Sequence, residues 1–367
     1  MTTETLLIEL GTEELPPKSL KLLANTFCEQ VKAQLDVAEL AYENIQWFAT
    51  PRRLAVKVEQ LIEKQENKII EKRGPAVNVA FDSDGNPSRA AEGWARSNGI
   101  TIDQAERLVT DKGECLLHKA KQQGQSVFEL IPEIVNKALV KLPIPKPMRW
   151  GSSRTQFIRP VHTLVLLYGE QVIPGETLGV SANNLVTGHR FHHHGLVAIQ
   201  HANNYENNLK DAHVIVDYHE RQSMILEQIE RAANELNGNA LIDDELLEEV
   251  TSLVEWPVVM QAGFDEGFLS VPKEALIYTM KDDQKYVPLL DANGNLAVDF
   301  LAPFYQNNGN PQERLADVQA RLETFSAFTY GEYGLGDDLN TTAFFEAMYS
   351  NRQFRQRQEG TIAFRVG

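Results

Sequence analysis

The chain has 367 residues, of which 43 % are hydrophobic and 23 % charged, the balance of an ordinary globular protein long enough for two or three domains. Its net charge of −16, from 35 basic and 51 acidic residues, excludes a chain coated with positive charge. Any nucleic-acid contact must then come from a local patch, because screening confines each charge to about 8–10 Å. No run approaches the roughly 20 apolar residues of a membrane span, and the N-terminus carries no signal-peptide core, so a cytoplasmic address is expected. Cys28 and Cys115 read as free thiols, with one disulfide between them as the alternative.

Thr5–Leu10 is a short apolar run that predicts a strand, ended by Gly11-Thr12-Glu13-Glu14-Leu15-Pro16-Pro17, where the prolines stop pairing and open a helix. Leu20, Leu23, Phe27, Val31 and Leu35 then form one apolar helical stripe. Asn44–Ala49 predicts a second strand. After the Thr50-Pro51 turn, Leu54, Val56 and Val58 alternate with Lys57 and Glu59 as in a half-buried third strand. The order strand, helix, strand, strand suggests an α+β sandwich, mixed or antiparallel, with helices on one sheet face.

Glu63–Lys72 is polar and reads as a linker. Asp82–Pro87 is a turn cluster, and Ser88–Ser97, Ile102–Thr110 and Val127–Leu142 read as helices. Pro143, Pro145 and Pro147 mark a break. We therefore expect domains over 1–147 and 148–300, and an atypical tail over 301–367. Phe157–Val180 reads as strands. Asp217 is placed to cap a helix with Met224, Ile225, Ile229, Ala232 and Leu236 inward, and a second helix turns Leu246, Leu247, Val250 and Leu253 inward before a strand at Val258–Ala262. The acidic run Asp243-Asp244-Glu245 with Glu248-Glu249 reads as a solvated helix face. In the tail there is no lysine after Lys285, yet 11 of the 30 aromatic residues lie beyond Leu301. That shift predicts a marginally packed appendage, cut by protease near Asn307–Pro311.

No phosphate-binding loop, G-x-G-x-x-G, C-x-x-C or H-E-x-x-H is present, so no catalytic residue is assigned. The histidine run His189, His192, His193, His194 lacks thiolates and carboxylates, which predicts stacked or exposed rings and no bound metal. Basic clusters beside Pro, Gly or aromatic residues are the more informative signal: Arg52-Arg53, Lys72-Arg73, Lys146 with Arg149, Arg154, Arg159, Arg190, and Lys281 with Lys285. Arginine forks suit phosphate, and Trp47, Trp94, Trp150 and Phe191 could stack on bases. The same arginines could instead pair with carboxylates and tie domains together.

Nine stretches in order resemble the β subunit of bacterial glycyl-tRNA synthetase. They are Ile8-Glu9-Leu10-Gly11-Thr12-Glu13-Glu14-Leu15-Pro16-Pro17-Lys18, Thr50-Pro51-Arg52-Arg53-Leu54-Ala55, Glu71-Lys72-Arg73-Gly74-Pro75-Ala76, Ala90-Ala91-Glu92-Gly93-Trp94-Ala95-Arg96 and Pro145-Lys146-Pro147-Met148-Arg149-Trp150-Gly151, followed by Phe157-Ile158-Arg159-Pro160-Val161-His162, Gly188-His189-Arg190-Phe191, Leu253-Val254-Glu255-Trp256-Pro257 and Tyr278-Thr279-Met280-Lys281-Asp282-Asp283-Gln284-Lys285-Tyr286.

The resemblance covers residues 1 to about 298 and fades after Phe300. It implies an α2β2 enzyme that joins glycine to tRNA(Gly) using ATP, with ATP and the chemistry on the α subunit and tRNA binding on the β subunit. It implies a B3/B4-like α+β module here, with the family's later HD-type and anticodon-binding regions expected to fall outside the 367 residues. From the basic clusters, the tRNA-contact residues expected are Arg52, Arg53, Lys72, Arg73, Arg149 and Arg190. A non-enzymatic remnant or stand-alone RNA-binding module that joins no tetramer is the alternative.

Overall fold

The computed structural model describes residues 2–82, 85–110, 113–152 and 154–303, and three further strands, Phe325–Gly334, Thr342–Phe354 and Arg357–Arg365. Those three pair antiparallel in chain order. The protease site expected near Asn307–Pro311 lies outside the described residues. The fold is α+β, with antiparallel sheets and packed helices.

The first 62 residues form β1 (Thr3–Thr12), α1 (Pro17–Val37), β2 (Asn44–Thr50) and β3 (Arg53–Ile62). Pro17 opens α1, where a missing N–H costs nothing, and the helix buries Leu20, Leu23, Phe27, Val31 and Leu35, the stripe the spacing predicts. β1 is the middle of a five-stranded antiparallel sheet, between β3 and the strand Val161–Tyr168, with β2 and Gln171–Val172 at the edges. The expected boundary at residue 147 therefore runs through a sheet that takes strands from both sides of it.

Both faces of this sheet are covered. On one, Leu6, Ile8, Leu10, Leu54, Val56 and Val58 meet α1 and the helix Val127–Val140. On the other, Leu7, Ala55, Val165 and Leu167 meet Val186, Tyr205, Leu209 and Val214. β3 is thus not half-buried: its second face, Arg53, Ala55 and Lys57, is also inside. Period-2 alternation shows which residues share a face, but not whether anything lies over it.

The stretch read as a linker contains a strand. β4 (Lys68–Ala76), α2 (Val77–Ala80), α3 (Arg89–Ser97), β5 (Glu106–Thr110) and β6 (Gly113–Gln122) form a lobe whose sheet order is β4-β6-β5. β4 is an edge strand with Lys68–Arg73 exposed, so it lacks the apolar alternation that announces a strand. The helix expected over Ile102–Thr110 is one 3₁₀ turn, Ile102–Gln104, followed by β5, whose pairing to β6 overrides local propensity. The lobe has its own small core of Ala80, Ala91 and Leu116, with Trp94 and Phe81 beside it. Two antiparallel segments join it to the body, where the Gln65 amide donates to Gln125 O at 2.9 Å.

After the lobe, α4 (Val127–Val140) begins with a capping box of Ser126 and Glu129. β7 (Met148–Arg149) and β8 (Gln156–Phe157) pair, followed by β9 (Val161–Tyr168) and β10 (Gln171–Val172). Two strand pairs, β11 (Glu176–Thr177) with β12 (Val180–Ser181) and β13 (Leu185–Thr187) with β14 (Leu196–Ala198), lead to α5 (Tyr205–Asp211).

The last described body unit carries α6 (Tyr218–Glu235), β15 (Asn239–Ala240), α7 (Asp244–Thr251), β16 (Met260–Gly263), α8 (Lys273–Tyr278), β17 (Val287–Leu290) and β18 (Leu296–Ala302). Its sheet order is β15-β17-β18-β16. Asp217 caps α6 as expected, its Oδ1 accepting from the amides of His219 at 2.8 Å and Glu220 at 3.0 Å. Of the expected inner face, Ile225 and Ile229 are buried and Ala232 and Leu236 pack against the same core, while Met224 stands outside it; Tyr218, Arg221 and Ala233 are buried in addition. The acidic run on α7 is not simply solvated, because Lys18 and Lys21 of α1 lie against Glu245 and Glu248, and Lys285 pairs with Glu249 at 3.1 Å. Among the described residues no helix is long and apolar enough to cross a membrane.

Candidate nucleic-acid interface and its buried ionic support

Arg52 and Arg53 are neighbours with opposite surroundings. Arg53 opens β3 on the inward face and is 1 % exposed. Its Nε donates to Thr50 Oγ1 at 3.1 Å, and its Nη2 donates to Thr187 O at 2.9 Å and to Glu255 Oε1 at 3.2 Å. Thr50 Oγ1 donates to the same Glu255 oxygen at 2.6 Å. On its other side Nη1 lies 3.6 Å from Glu9 Oε2, which also accepts from the Tyr205 hydroxyl. One guanidinium thus holds together the central sheet, the β13 segment and the loop after α7.

Burial opposes the charge on Arg53, but Glu255 and then Glu9 outweigh it and hold its pKa above the ordinary value. Burial raises the Glu9 carboxyl above its usual range, against the pull of Arg53 and Tyr205. A second buried cation, Arg221, is held by main-chain carbonyls: Ile215 at 2.6 Å, Ala49 at 2.7 Å and Thr251 at 3.0 Å. Burial lowers its pKa to about 10. Arg53 is paired with Glu9 and Glu255, as a buried ion requires, while Arg221 is satisfied by carbonyls.

The rim beside this interior is the loop between β1 and α1, where Glu14 is exposed and Glu13 partly so. Glu13 faces Arg52 at 3.6 Å and His162 at 3.0 Å, and Arg190 reaches Glu14 at 4.0 Å. Arg159 donates to Glu14 O at 2.7 Å. Arg190 also lies over the Phe191 ring, 5.8 Å from its centroid, and Phe191 is 55 % exposed. The structure thus brings Arg52 and Arg190 to one rim. Lys72 and Arg73 lie elsewhere, exposed on β4 of the lobe. Arg149, also exposed, lies on β7 opposite Gln156 of β8, whose amide, flipped, accepts from Arg149 Nε at 2.7 Å and Nη2 at 3.1 Å.

The histidine loop is held by its own backbone. His189, 1 % exposed, accepts at Nδ1 from the amides of Phe191 and His192, both at 3.3 Å. Its ring stacks on His192 with centroids 4.5 Å apart, and His192, His213 and Trp256 continue the row at 5.4 and 5.1 Å. Burial pushes the His189 pKa down to about 4, against the pull of Glu255. Among the described residues, no three His, Cys, Asp or Glu side chains converge as metal ligands would. Cys28, buried on α1, and Cys115, on β6, are free thiols.

Sequence reasoning missed Glu9, Glu255, Tyr205 and Arg221. The signal for Glu9 was present, a lone carboxylate in the apolar run Leu6-Leu7-Ile8-Glu9-Leu10.

The glycyl-tRNA synthetase β-subunit family model matches residues 6–319. Among curated relatives, the glycine–tRNA ligase β subunit of Colwellia psychrerythraea is 64 % identical over 301 residues, 82 % of this chain and 44 % of the relative. That of Psychromonas ingrahamii is 55 % identical over 336 residues, covering 88 % of this chain and 49 % of the relative. That of Pseudoalteromonas atlantica is 54 % identical over 377 aligned positions, covering 99 % of this chain and 54 % of the relative. This last alignment carries the likeness past the point near Phe300 where the motif resemblance stops. The chain spans about half the length of the curated relatives it matches. On the extent and identity of these matches, the chain belongs to the glycyl-tRNA synthetase β-subunit family.

Proposed function

We propose that this chain serves ATP-dependent glycylation of tRNA as a β-subunit component that binds tRNA(Gly) and assembles, in an α2β2 tetramer in the cytoplasm, with a separate catalytic α subunit. The observation that carries the reading is the family match over residues 6–319. ATP is bound and consumed on the α subunit, since nothing in this chain resembles a nucleotide-binding loop. The chain holds no metal of its own; His189 is committed to backbone amides, and one tightly held metal per chain in elemental analysis would contradict this. The tRNA contacts belong to the half-buried Arg52 and to the exposed Lys72, Arg73, Arg149 and Arg190. Arg53 supports them from inside, because its guanidinium is engaged by Glu9, Glu255 and Thr187.

The experiment is glycine-dependent ATP–pyrophosphate exchange. The isolated chain should show none, and adding it to an α subunit should raise glycyl-tRNA formation. Exchange above background by the α-free chain would overturn the division of labour.

A further inference from the structure

The lobe built on β4 and β6 carries a local excess of positive charge along one strand pair. The paired segments Lys68–Arg73 and His118–Lys121 hold five Lys or Arg side chains and one histidine against the single carboxylate of Glu71, in a chain of net charge −16. Lys68 is paired with Glu39 and Lys119 with Glu106 at 2.7 Å. Lys72, Arg73 and Lys121 have no carboxylate at ion-pair distance among the described residues, and all three are exposed. At the rim, by contrast, Arg52 and Arg190 each face a carboxylate, so a phosphate arriving there also meets Glu13 and Glu14.

We propose that this basic β-ribbon is the chain's main contact with the phosphate backbone of tRNA, an inference that rests on the tRNA-binding function proposed for the chain and names the surface that carries it. Cross-strand register fixes the arrangement. Lys72 stands opposite His118 on one sheet face, while Arg73 opposite Leu117 and Lys121 opposite Ile69 lie on the other. β4 is the edge of its sheet. Cations on both faces of an open edge can straddle a sugar–phosphate strand laid along it, with Ile69 (64 % exposed) and Ile70 (41 %) between them as apolar contact.

An acidic body repels a polyanion, so its cations act best when held away from the bulk of that charge. The lobe meets this need by standing on the two-segment neck at Gln65 and Gln125, with a core separate from the body's. Charge on an exposed edge strand also discourages edge-to-edge aggregation, a role that salt dependence separates from phosphate binding.

The test is tRNA binding by the full chain as a function of salt, for the parent, for the triple variant Lys72→Gln/Arg73→Gln/Lys121→Gln, and for the rim pair Arg52→Gln/Arg190→Gln. Removing one phosphate contact lowers the log–log slope by roughly 0.7–0.9. The slope of the triple variant should fall by roughly 2 to 3 with an unchanged melting temperature, and that of the rim pair by less than about 0.9. A triple variant that keeps the parent slope overturns the inference. If it keeps the slope and aggregates, the charges only protect an edge. If the rim pair alone lowers the slope, the tRNA-binding function stands and the ribbon assignment falls. If the parent binds no tRNA even at low salt, both fall.

Discussion

Replacing Arg53 with alanine leaves Glu9 and Glu255 buried without their shared cation, and losing one partner of a buried pair costs about 3–5 kcal/mol. Arg53→Ala should therefore lower the melting temperature strongly, whereas Arg190→Ala, 59 % exposed, should leave it nearly unchanged. Equal melting temperatures for the two variants would remove Arg53 from its bracing role. His189 makes a pH prediction of definite sign. Its pKa is lowered from 6.5 to about 4 in the fold, so its contribution is complete above pH 6.5 and is lost as pH falls through about 4. The raised Glu9 pKa works in the opposite sense as pH rises, so the parent must be compared with His189→Gln. The parent should lose stability relative to the variant between pH 6.5 and 4, as read by thermal melts. A constant difference would show that His189 titrates normally. Arg53 was legible in the sequence as a notable cation but not as a buried one. Its neighbour Arg52 has the same local chemistry, and only the cover over the second sheet face, from residues about 130 to 200 positions away, separates them.

At the level of elements, patterns with local causes were legible. The stripe of α1, the Asp217 cap and the Pro17 start follow from nearest-neighbour chemistry. β4 was not legible, because its partner β6 begins nearly 40 residues after β4 ends and its exposed residues show no apolar period. Arg221 was missed because helical periodicity treats arginine as outward-facing, while here four main-chain carbonyls satisfy it inside. The neck of the lobe offers a prediction at this scale. A Cβ at Gly124 would lie 1.9 Å from the carbonyl oxygen of Gln65, so Gly124→Ala must displace backbone. It should speed amide exchange at Gln65, whose N–H bonds Gln125 O, with a much smaller effect on the central sheet. Unchanged protection at Gln65 would mean the neck is not a tight backbone contact.

Across the whole molecule, the central sheet, the lobe and the four-stranded unit are three packed bodies, joined through Arg53, Arg221 and the neck. A net charge of −16 makes encounter with any polyanion dependent on a local basic surface and sensitive to ionic strength. The sequence motifs indicated the family, since nine ordered stretches span the chain to Tyr286. They did not indicate which arginines face outward, because that depends on what covers each sheet. The central claim is that this chain works in glycylation beside a separate catalytic subunit, and co-expression with a glycyl-tRNA synthetase α subunit followed by size-exclusion chromatography tests it most directly. Co-elution of the two chains in fixed stoichiometry is the predicted result; separate elution under low-salt conditions would contradict it.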